Sequence, residues 1–102
     1  MDEYSVRILS TAQIDFLDIV EHLNALSPEA AVQYYELFID RLNVLATAPD
    51  KNPLARDAQL RLRGYRTMSI NDYTVFYVVR EKTVEIRRVL YTKRQYERLF
   101  QG

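Results

Sequence analysis

The chain has 102 residues, a formal net charge of zero, no cysteine and one histidine. This length suits a single domain spanning 1–102, and the composition argues against disulfides, thiolate or histidine-rich metal sites and any cofactor. Because no apolar run approaches the ~18 residues of a membrane span and the N-terminus lacks a signal-peptide pattern, we expect a soluble, cytoplasmic protein that does not enter a membrane.

The zero net charge hides a strong asymmetry between the two halves. Residues 1–50 carry nine acids and two bases, and residues 51–102 carry twelve bases and five acids. A domain of this kind can present a basic face to an anionic partner while remaining neutral overall. The alternative is that the two halves pair with each other across their interface.

The chain begins with a predicted strand and helix. Residues 4–9 alternate apolar and polar side chains, as in a short strand at the edge of a sheet. Apolar residues at three- and four-residue steps then indicate an amphipathic helix over 12–26, with Ser10 or Thr11 as its cap.

A second helix follows almost immediately. Ser27 is the expected cap, and Pro28 suits the first helical position. We expect this helix to continue to about Ala48, and the short connection makes the two helices an antiparallel hairpin. Residues 49–60 are predicted to form a loop.

Three antiparallel strands are predicted within residues 62–94, which are rich in β-branched and aromatic residues. Polar breaks at Asn71-Asp72 and at residues 80–83 separate them. Because asparagine and aspartate tolerate positive φ, Asn71-Asp72 suits a two-residue hairpin loop. That loop fixes the register of three pairs on the core face, which are Ile70–Tyr73, Met68–Val75 and Arg66–Tyr77.

The last strand needs one irregularity to keep its apolar residues buried. Continuing the alternation puts Arg88 on the core face, so we expect a bulge near Arg87-Arg88 that returns Val89 and Tyr91 inward. The complete order is β-α-α-β-β-β, an α+β fold in which a helical hairpin packs on one face of a small antiparallel sheet.

This arrangement resembles the RelE/ParE superfamily of type II toxin–antitoxin toxins. The matching segments are Val6-Arg-Ile-Leu-Ser10, Leu45-Ala-Thr-Ala-Pro49, Gly64-Tyr-Arg66, Tyr73-Thr-Val-Phe-Tyr77 and Val84-Glu-Ile-Arg-Arg-Val-Leu-Tyr91, followed by Lys93-Arg94. The resemblance implies a toxin that inhibits growth, neutralised by a cognate antitoxin in a hetero-oligomer. RelE-like members cleave mRNA on the ribosome, whereas ParE-like members inhibit DNA gyrase.

The residues favour the ParE-like branch. The RelE pattern has alternating lysines where this chain has Arg66, Met68 and Ile70, and an arginine where it has Thr74. The basic half of this chain has no histidine. Arginine holds a phosphate but is a poor proton carrier. One alternative is a ribosome-dependent mRNA interferase with a modified site that uses Arg66, Arg94 and Tyr91. Another is a non-toxic, degenerate module that only binds an antitoxin.

The candidate binding residues lie on the predicted strands and just beyond them. Phe76 and Val78 point away from the helices, where we expect either an antitoxin or the chain's own C-terminal segment to cover them. The full set predicted to contact the target or the antitoxin is Arg63, Arg66, Phe76, Val78, Arg87, Arg88, Tyr91, Lys93 and Arg94.

Overall fold

The strands and helices follow the predicted order, with one short helix that the sequence did not indicate. The computed structural model describes residues 3–93. The strands are β1 (Ser5–Ile8), β2 (Arg66–Ile70), β3 (Tyr73–Arg80) and β4 (Thr83–Tyr91). The helices are α1 (Ser10–Leu26), α2 (Pro28–Leu45) and α3 (Ala58–Leu62), with a 3-10 turn at Pro49–Lys51. Within 3–93, no helix has both the length and the apolar character needed to cross a membrane.

The four strands form one sheet in the order β1-β4-β3-β2. β2, β3 and β4 are the predicted antiparallel meander, and β1 lies at the edge as expected. However, β1 runs parallel to β4, from Ser5 beside Thr83 to Ile8 beside Ile86, so the sheet is mixed rather than wholly antiparallel. Parallel neighbours need a long connection that returns the chain to its starting end. Here the helical hairpin and the segment that follows it provide this return.

The predicted register of the β2–β3 hairpin is confirmed. Ile70 pairs with Tyr73 across the two-residue turn, and the other two predicted pairs follow in step. Asn71 has φ 55°, the left-handed conformation that asparagine tolerates better than most residues. The turn chemistry therefore determines which side chains of both strands face the helices.

The predicted bulge in β4 is confirmed as well. Ile86 lies beside Tyr77 of β3, whereas Arg88 lies beside Phe76, so Arg87 is the extra residue of β4. An extra residue shifts the alternation of side chains by one position. Without this shift the alternation would turn Val89 away from the helices, whereas with it Val89 joins the main core.

Beyond the bulge, β4 turns its apolar side chains back toward the helices. Val89 is buried, with 1% of its surface exposed. Tyr91 packs edge-on against Tyr73, with 5.8 Å between the ring centroids. It nevertheless remains 43% exposed, so its expected inward position is only partly enclosed.

The start of α2 is built as predicted. The Ser27 hydroxyl accepts a hydrogen bond from the Ala30 N–H at 3.3 Å, and Pro28 occupies the first helical position. The helix ends at Leu45, three residues before the expected end at Ala48. Ser27 and Pro28 suffice to predict the start of α2, because helix capping depends on residues that are adjacent in the sequence.

The predicted cap of α1 is wrong. Leu9 is the N-cap, and neither Ser10 nor Thr11 caps the helix through its side chain. The Leu9 N–H still donates to the Ile86 carbonyl at 3.0 Å, so Leu9 is the single residue between β1 and α1. At the other end, Leu26 belongs to the apolar stripe by spacing but is 71% exposed.

The main core fills the space between the helical hairpin and the sheet. The hairpin contributes Ala12, Ile19, Tyr34, Phe38, Leu42 and Leu45, and the sheet contributes Met68, Ile70, Val75, Tyr77, Val84, Ile86 and Val89. Burial at this scale is the dominant favourable contribution to folding. The helical hairpin thus packs on one face of the sheet, as the sequence predicts.

The opposite face of the sheet is covered by the chain itself. A second cluster consists of Ala55, Leu60, Tyr65, Phe76, Val78 and Leu90. Phe76 is fully buried and Val78 is 5% exposed, so the expectation that these two side chains meet an antitoxin is corrected. A partner approaching this face would instead meet residues 55–65, which we call the covering segment. Part of that segment is α3, so the prediction of a simple loop over 49–60 is also wrong.

Candidate functional site

The covering segment is held over the sheet by a short capped helix. The Asp57 carboxylate accepts the Leu60 N–H at 3.0 Å and caps α3, as aspartate commonly does. Gly64 has φ +83°, a conformation that favours glycine, and it turns the chain toward the sheet. The Ala55 N–H then donates to the Tyr65 carbonyl at 2.9 Å, which fixes Tyr65 over the second cluster.

Tyr65 supports two arginines on this face. The guanidinium carbon of Arg63 lies 5.6 Å from the centre of its ring, and that of Arg87 lies 5.9 Å from it. Each such cation–aromatic contact contributes about 0.5–1 kcal/mol at an exposed site. The Arg87 Nε–H is buried and has no hydrogen-bond partner within the described residues. We call Arg63, Tyr65 and Arg87 the arginine platform.

One acid lies beside the platform. Glu85 accepts a hydrogen bond from Arg87 at 2.7 Å, and Arg80 approaches it at 3.8 Å. The hydrogen bond from Arg87 lowers the pKa of the Glu85 carboxyl below its ordinary value, and the nearby charges of Arg80 and Arg7 act in the same direction. Burial alone would lower the pKa of Arg87, but this hydrogen bond leaves it raised. Glu85 thus holds Arg87 in place and neutralises only part of the surrounding positive charge.

Arg88 points to the other side of the sheet and is engaged there. Its Nε and Nη2 donate to the Asp15 carboxylate of α1 at 2.7 and 3.0 Å. The same carboxylate accepts the Val89 N–H at 3.0 Å. These bonds to Asp15 raise the pKa of Arg88 above its ordinary value. The expectation that Arg88 forms an open binding surface with Arg87 is therefore corrected, and here the acidic and basic halves do pair across their interface.

The remaining predicted residues do not converge on one site. Arg66 donates to the Asn52 carbonyl at 2.6 Å and pairs in the sheet with Tyr77, a residue of the helix-side core. Tyr91 pairs with Tyr73, four residues earlier along β3, or about 13 Å away at ~3.3 Å per residue. Among residues proposed for a modified nuclease site, Arg66 and Tyr91 are therefore far apart.

The last two predicted residues lie at the C-terminal end. Lys93 is exposed just beyond β4. Arg94, the third residue of the modified nuclease site, lies outside the described residues. Of the nine predicted binding residues, the structure thus brings together Arg63 and Arg87.

Sequence reasoning missed two members of the site. Tyr65 and Glu85 appear in the sequence analysis only within family-like segments, and neither residue is assigned a role there. A signal for Tyr65 exists, because a glycine before an aromatic residue at a helix end marks a turn that can lay the ring on a neighbouring surface. Glu85 and Arg87 are two positions apart on one strand, which places both on the same face.

The platform can hold an anion through its two arginine side chains. Arginine remains charged at any physiological pH. Met68 and Ile70 lie in the main core. Thr74 is 6% exposed, and its hydroxyl lies 2.9 Å from the Thr92 hydroxyl. Three of the positions where the RelE pattern has cations are thus occupied by buried, uncharged side chains.

Comparisons with known proteins agree with this fold. The family model described as the ParE toxin of the type II toxin–antitoxin system parDE matches residues 6–96. A search of curated proteins finds no match. A solved structure described as the chromosomal ParDE toxin–antitoxin system from P. aeruginosa superposes with a TM-score of 0.74 at 18% identity, covering 89% of this chain and 98% of that one. The RelBE2 toxin–antitoxin complex from Mycobacterium tuberculosis gives 0.57 at 25% identity, covering 87% and 98%.

Proposed function

Because the chain belongs to the ParE toxin family of type II toxin–antitoxin systems, we propose that it stops growth by inhibiting DNA gyrase in the cytoplasm. In this proposal the protein acts by binding and does not cleave a nucleic acid. A cognate antitoxin neutralises it within a toxin–antitoxin complex.

The chemistry of the arginine platform favours DNA gyrase over mRNA as the target. RNA cleavage through the 2′-hydroxyl needs one group to accept a proton and another to donate one. Arg63 and Arg87 are poor proton carriers at neutral pH, and Arg66 and Tyr91, two of the residues suggested for a modified nuclease site, are separated. A surface of fixed cations on an aromatic support is suited to binding an acidic protein surface.

The same platform is the proposed contact for the antitoxin. An acidic segment laid over the arginine platform would bond to guanidinium groups that are already oriented by Tyr65. Charge-assisted hydrogen bonds of this kind are about twice as strong as neutral ones. Arg88 contributes nothing to this contact, because Asp15 holds it on the far side of the sheet.

The deciding experiment compares two purified targets. The protein should inhibit supercoiling by DNA gyrase and should leave mRNA intact on translating ribosomes, as read by primer extension. Codon-phased cuts with unaffected supercoiling would overturn the proposal in favour of the mRNA interferase. Expression without any growth defect, together with retained antitoxin binding, would instead favour the degenerate module.

A matched pair of substitutions tests the platform itself. Arg63→Gln and Lys51→Gln each remove one exposed positive charge, but only Arg63 lies over Tyr65. Binding of the antitoxin from the adjacent reading frame should weaken about 10-fold in R63Q, equivalent to ~1.4 kcal/mol, and change little in K51Q. Equal losses in the two variants would mean that only the overall charge matters.

A further inference from the structure

A second surface of opposite character lies on the helix side of the molecule. A cleft of about 570 Å³ opens between α1 and the strand ends where β3 begins and β4 finishes. Its walls include Asp18, His22 and Leu26 from α1 and Asp72, Tyr73 and Tyr91 from the strand ends. We call this region the α1–β4 cleft. Its volume lies within the range of about 300–1,000 Å³ that is usual for ligand sites.

The inner wall of the cleft is aromatic. Tyr73 lies between Tyr91, at 5.8 Å, and the buried Tyr34, at 5.3 Å, with all distances between ring centroids. Tyr91 is 43% exposed, and Leu26 at the opposite rim is 71% exposed. Exposed apolar side chains of this size facing one depression mark a docking surface more often than a plain solvated surface.

The two walls are fixed relative to each other. The Thr92 N–H donates to the Asp72 carbonyl at 2.8 Å, which ties the end of β4 to the β2–β3 turn. Asp15 ties α1 to β4 through its bonds to Arg88 and the Val89 N–H. The cleft is therefore preformed, and a ligand need not pay a large ordering cost to use it.

The charge of the cleft selects its ligand. Among the described residues that line it, none is lysine or arginine. Arg88 compensates Asp15, whereas Asp18 and Asp72 have no ion-pair partner within residues 3–93. Burial, with added repulsion from Asp72, raises the pKa of the Tyr73 hydroxyl, so the phenol remains a neutral aromatic surface. Carboxylates beside exposed aromatic rings attract organic cations.

We propose that the α1–β4 cleft binds a basic, partly apolar peptide segment of a protein partner. One arginine or lysine side chain lies against Tyr91 within reach of Asp18 and Asp72, and a neighbouring apolar side chain covers Leu26. A peptide suits the cleft better than a small molecule does, because the cleft is open and its exposed apolar side chains, Leu26 and Tyr91, come from different walls.

The proposal has a consequence for the partner described above. The arginine platform attracts an acidic segment, and the α1–β4 cleft on the other side of the sheet attracts a basic one. An antitoxin that uses both surfaces must therefore carry an acidic stretch and a separate basic stretch. The proposal for the cleft does not depend on gyrase being the target, because it rests on the residues that line the cleft.

A peptide titration tests the cleft without gyrase or antitoxin. The probe is an acetylated and amidated pentapeptide of alternating leucine and arginine, added to the full-length, ¹⁵N-labelled chain and followed by NMR. The amide signals of Asp72, Tyr73 and Tyr91 should shift. The double substitution Asp18→Asn and Asp72→Asn should weaken binding about 10-fold, or ~1.4 kcal/mol.

Two controls separate this site from general attraction. Glu36→Gln with Asp40→Asn removes the same charge from exposed positions on α2 and should leave the affinity unchanged. The pentapeptide with glutamine in place of arginine should bind far more weakly.

Three outcomes would overturn the proposal. The first is no binding to the unsubstituted chain, and the second is an equal loss of affinity in the two double variants. The third is self-association of the free chain, if Asp18→Asn with Asp72→Asn abolishes it. The ligand of the cleft would then be a second copy of this chain. A failure of gyrase inhibition alone would leave this result untouched.

Discussion

The two faces of the sheet are covered to very different depths. The helical hairpin places 17 residues of α1 and 18 of α2 over one face, whereas a covering segment with a five-residue helix lies over the other. The adjacent residues Arg87 and Arg88 show what this difference means. Arg88 faces the helical hairpin, the thick side, and is bound to Asp15. Arg87 faces the covering segment, the thin side, and lies against Tyr65.

This contrast relates stability to function. A side chain beneath two long helices must be apolar or paired, because burying an isolated charge is costly. A thin cover hides the apolar surface of the sheet but leaves long cationic side chains at the rim. The arginines of the platform can therefore keep their charges near the surface, because they lie on the face with the thinner cover.

The largest expected effect of a single substitution is on the thick side. Phe38 is 1% exposed and stacks on Phe16, with 4.3 Å between ring centroids. Phe38→Ala should lower the free energy of unfolding by about 4 kcal/mol, since it removes buried area and leaves a cavity. Urea denaturation measures this change, and Glu36→Ala on the exposed side of α2 is the control, with an expected change below ~0.5 kcal/mol. A loss in F38A as small as in the control would mean that this face is not the main core.

The next effect concerns the link between α1 and the bulge. Asp15→Ala removes three hydrogen bonds and leaves Arg88 partly buried without its carboxylate. Removing one partner of a buried pair costs about 3–5 kcal/mol, and we expect about 3 kcal/mol here because the two side chains are 12% and 18% exposed. The same urea experiment with Asp18→Ala, one turn along α1, should show little change. Equal midpoints for D15A and the unsubstituted chain would show that the bulge does not depend on Asp15.

The contrast also explains which features could be predicted from the sequence. Asn71 and Asp72 determine the hairpin register because a turn acts through adjacent residues. The bulge followed from the phase of Arg88 within a single strand. The family and the fold class could be reached in this way, since both rest on the order of elements and on local patterns.

The features that could not be predicted depend on distant parts of the chain. Asp15 and Arg88 are 73 residues apart in sequence, and nothing local to either residue indicates the other. The cover over Phe76 was missed because α3 has only five residues, too few to show a helical repeat. The predicted site residues are therefore scattered over the molecule. Burial and ion pairing, which depend on distant residues, decide which arginine side chains remain open to a partner.

A smaller and more local effect is expected on the thin side. Leu60 is the buried residue of α3, with 2% of its surface exposed, and Leu60→Ala should destabilise the covering segment by about 2 kcal/mol. Native-state hydrogen exchange should become faster at the Arg63 and Tyr65 amides and change little in α2, because this segment opens without global unfolding. Affinity for the antitoxin should fall with it. Uniformly faster exchange throughout the chain would show that the two faces unfold as one unit.

The smallest effect is the pH dependence of the Glu85–Arg87 bond. Because Arg87 lowers the pKa of the Glu85 carboxyl in the folded state, its contribution to stability is complete above the unfolded value of about 4.3. It disappears as the pH falls through the lower folded value, where protonation breaks the charged bond. Glu85→Gln should therefore reduce stability by about 0.5–1 kcal/mol at pH 7.

The difference between the two proteins should then vanish in acid. Urea midpoints measured between pH 7 and pH 3 should converge below about pH 4.3, since a protonated glutamate resembles glutamine. Glu81→Gln, a substitution of an exposed glutamate in the β3–β4 turn, provides the control and should show no such convergence. If the midpoints for E85Q remain parallel to those of the unsubstituted chain at every pH, Glu85 does not hold Arg87 by charge, and the platform is positioned by Tyr65 alone.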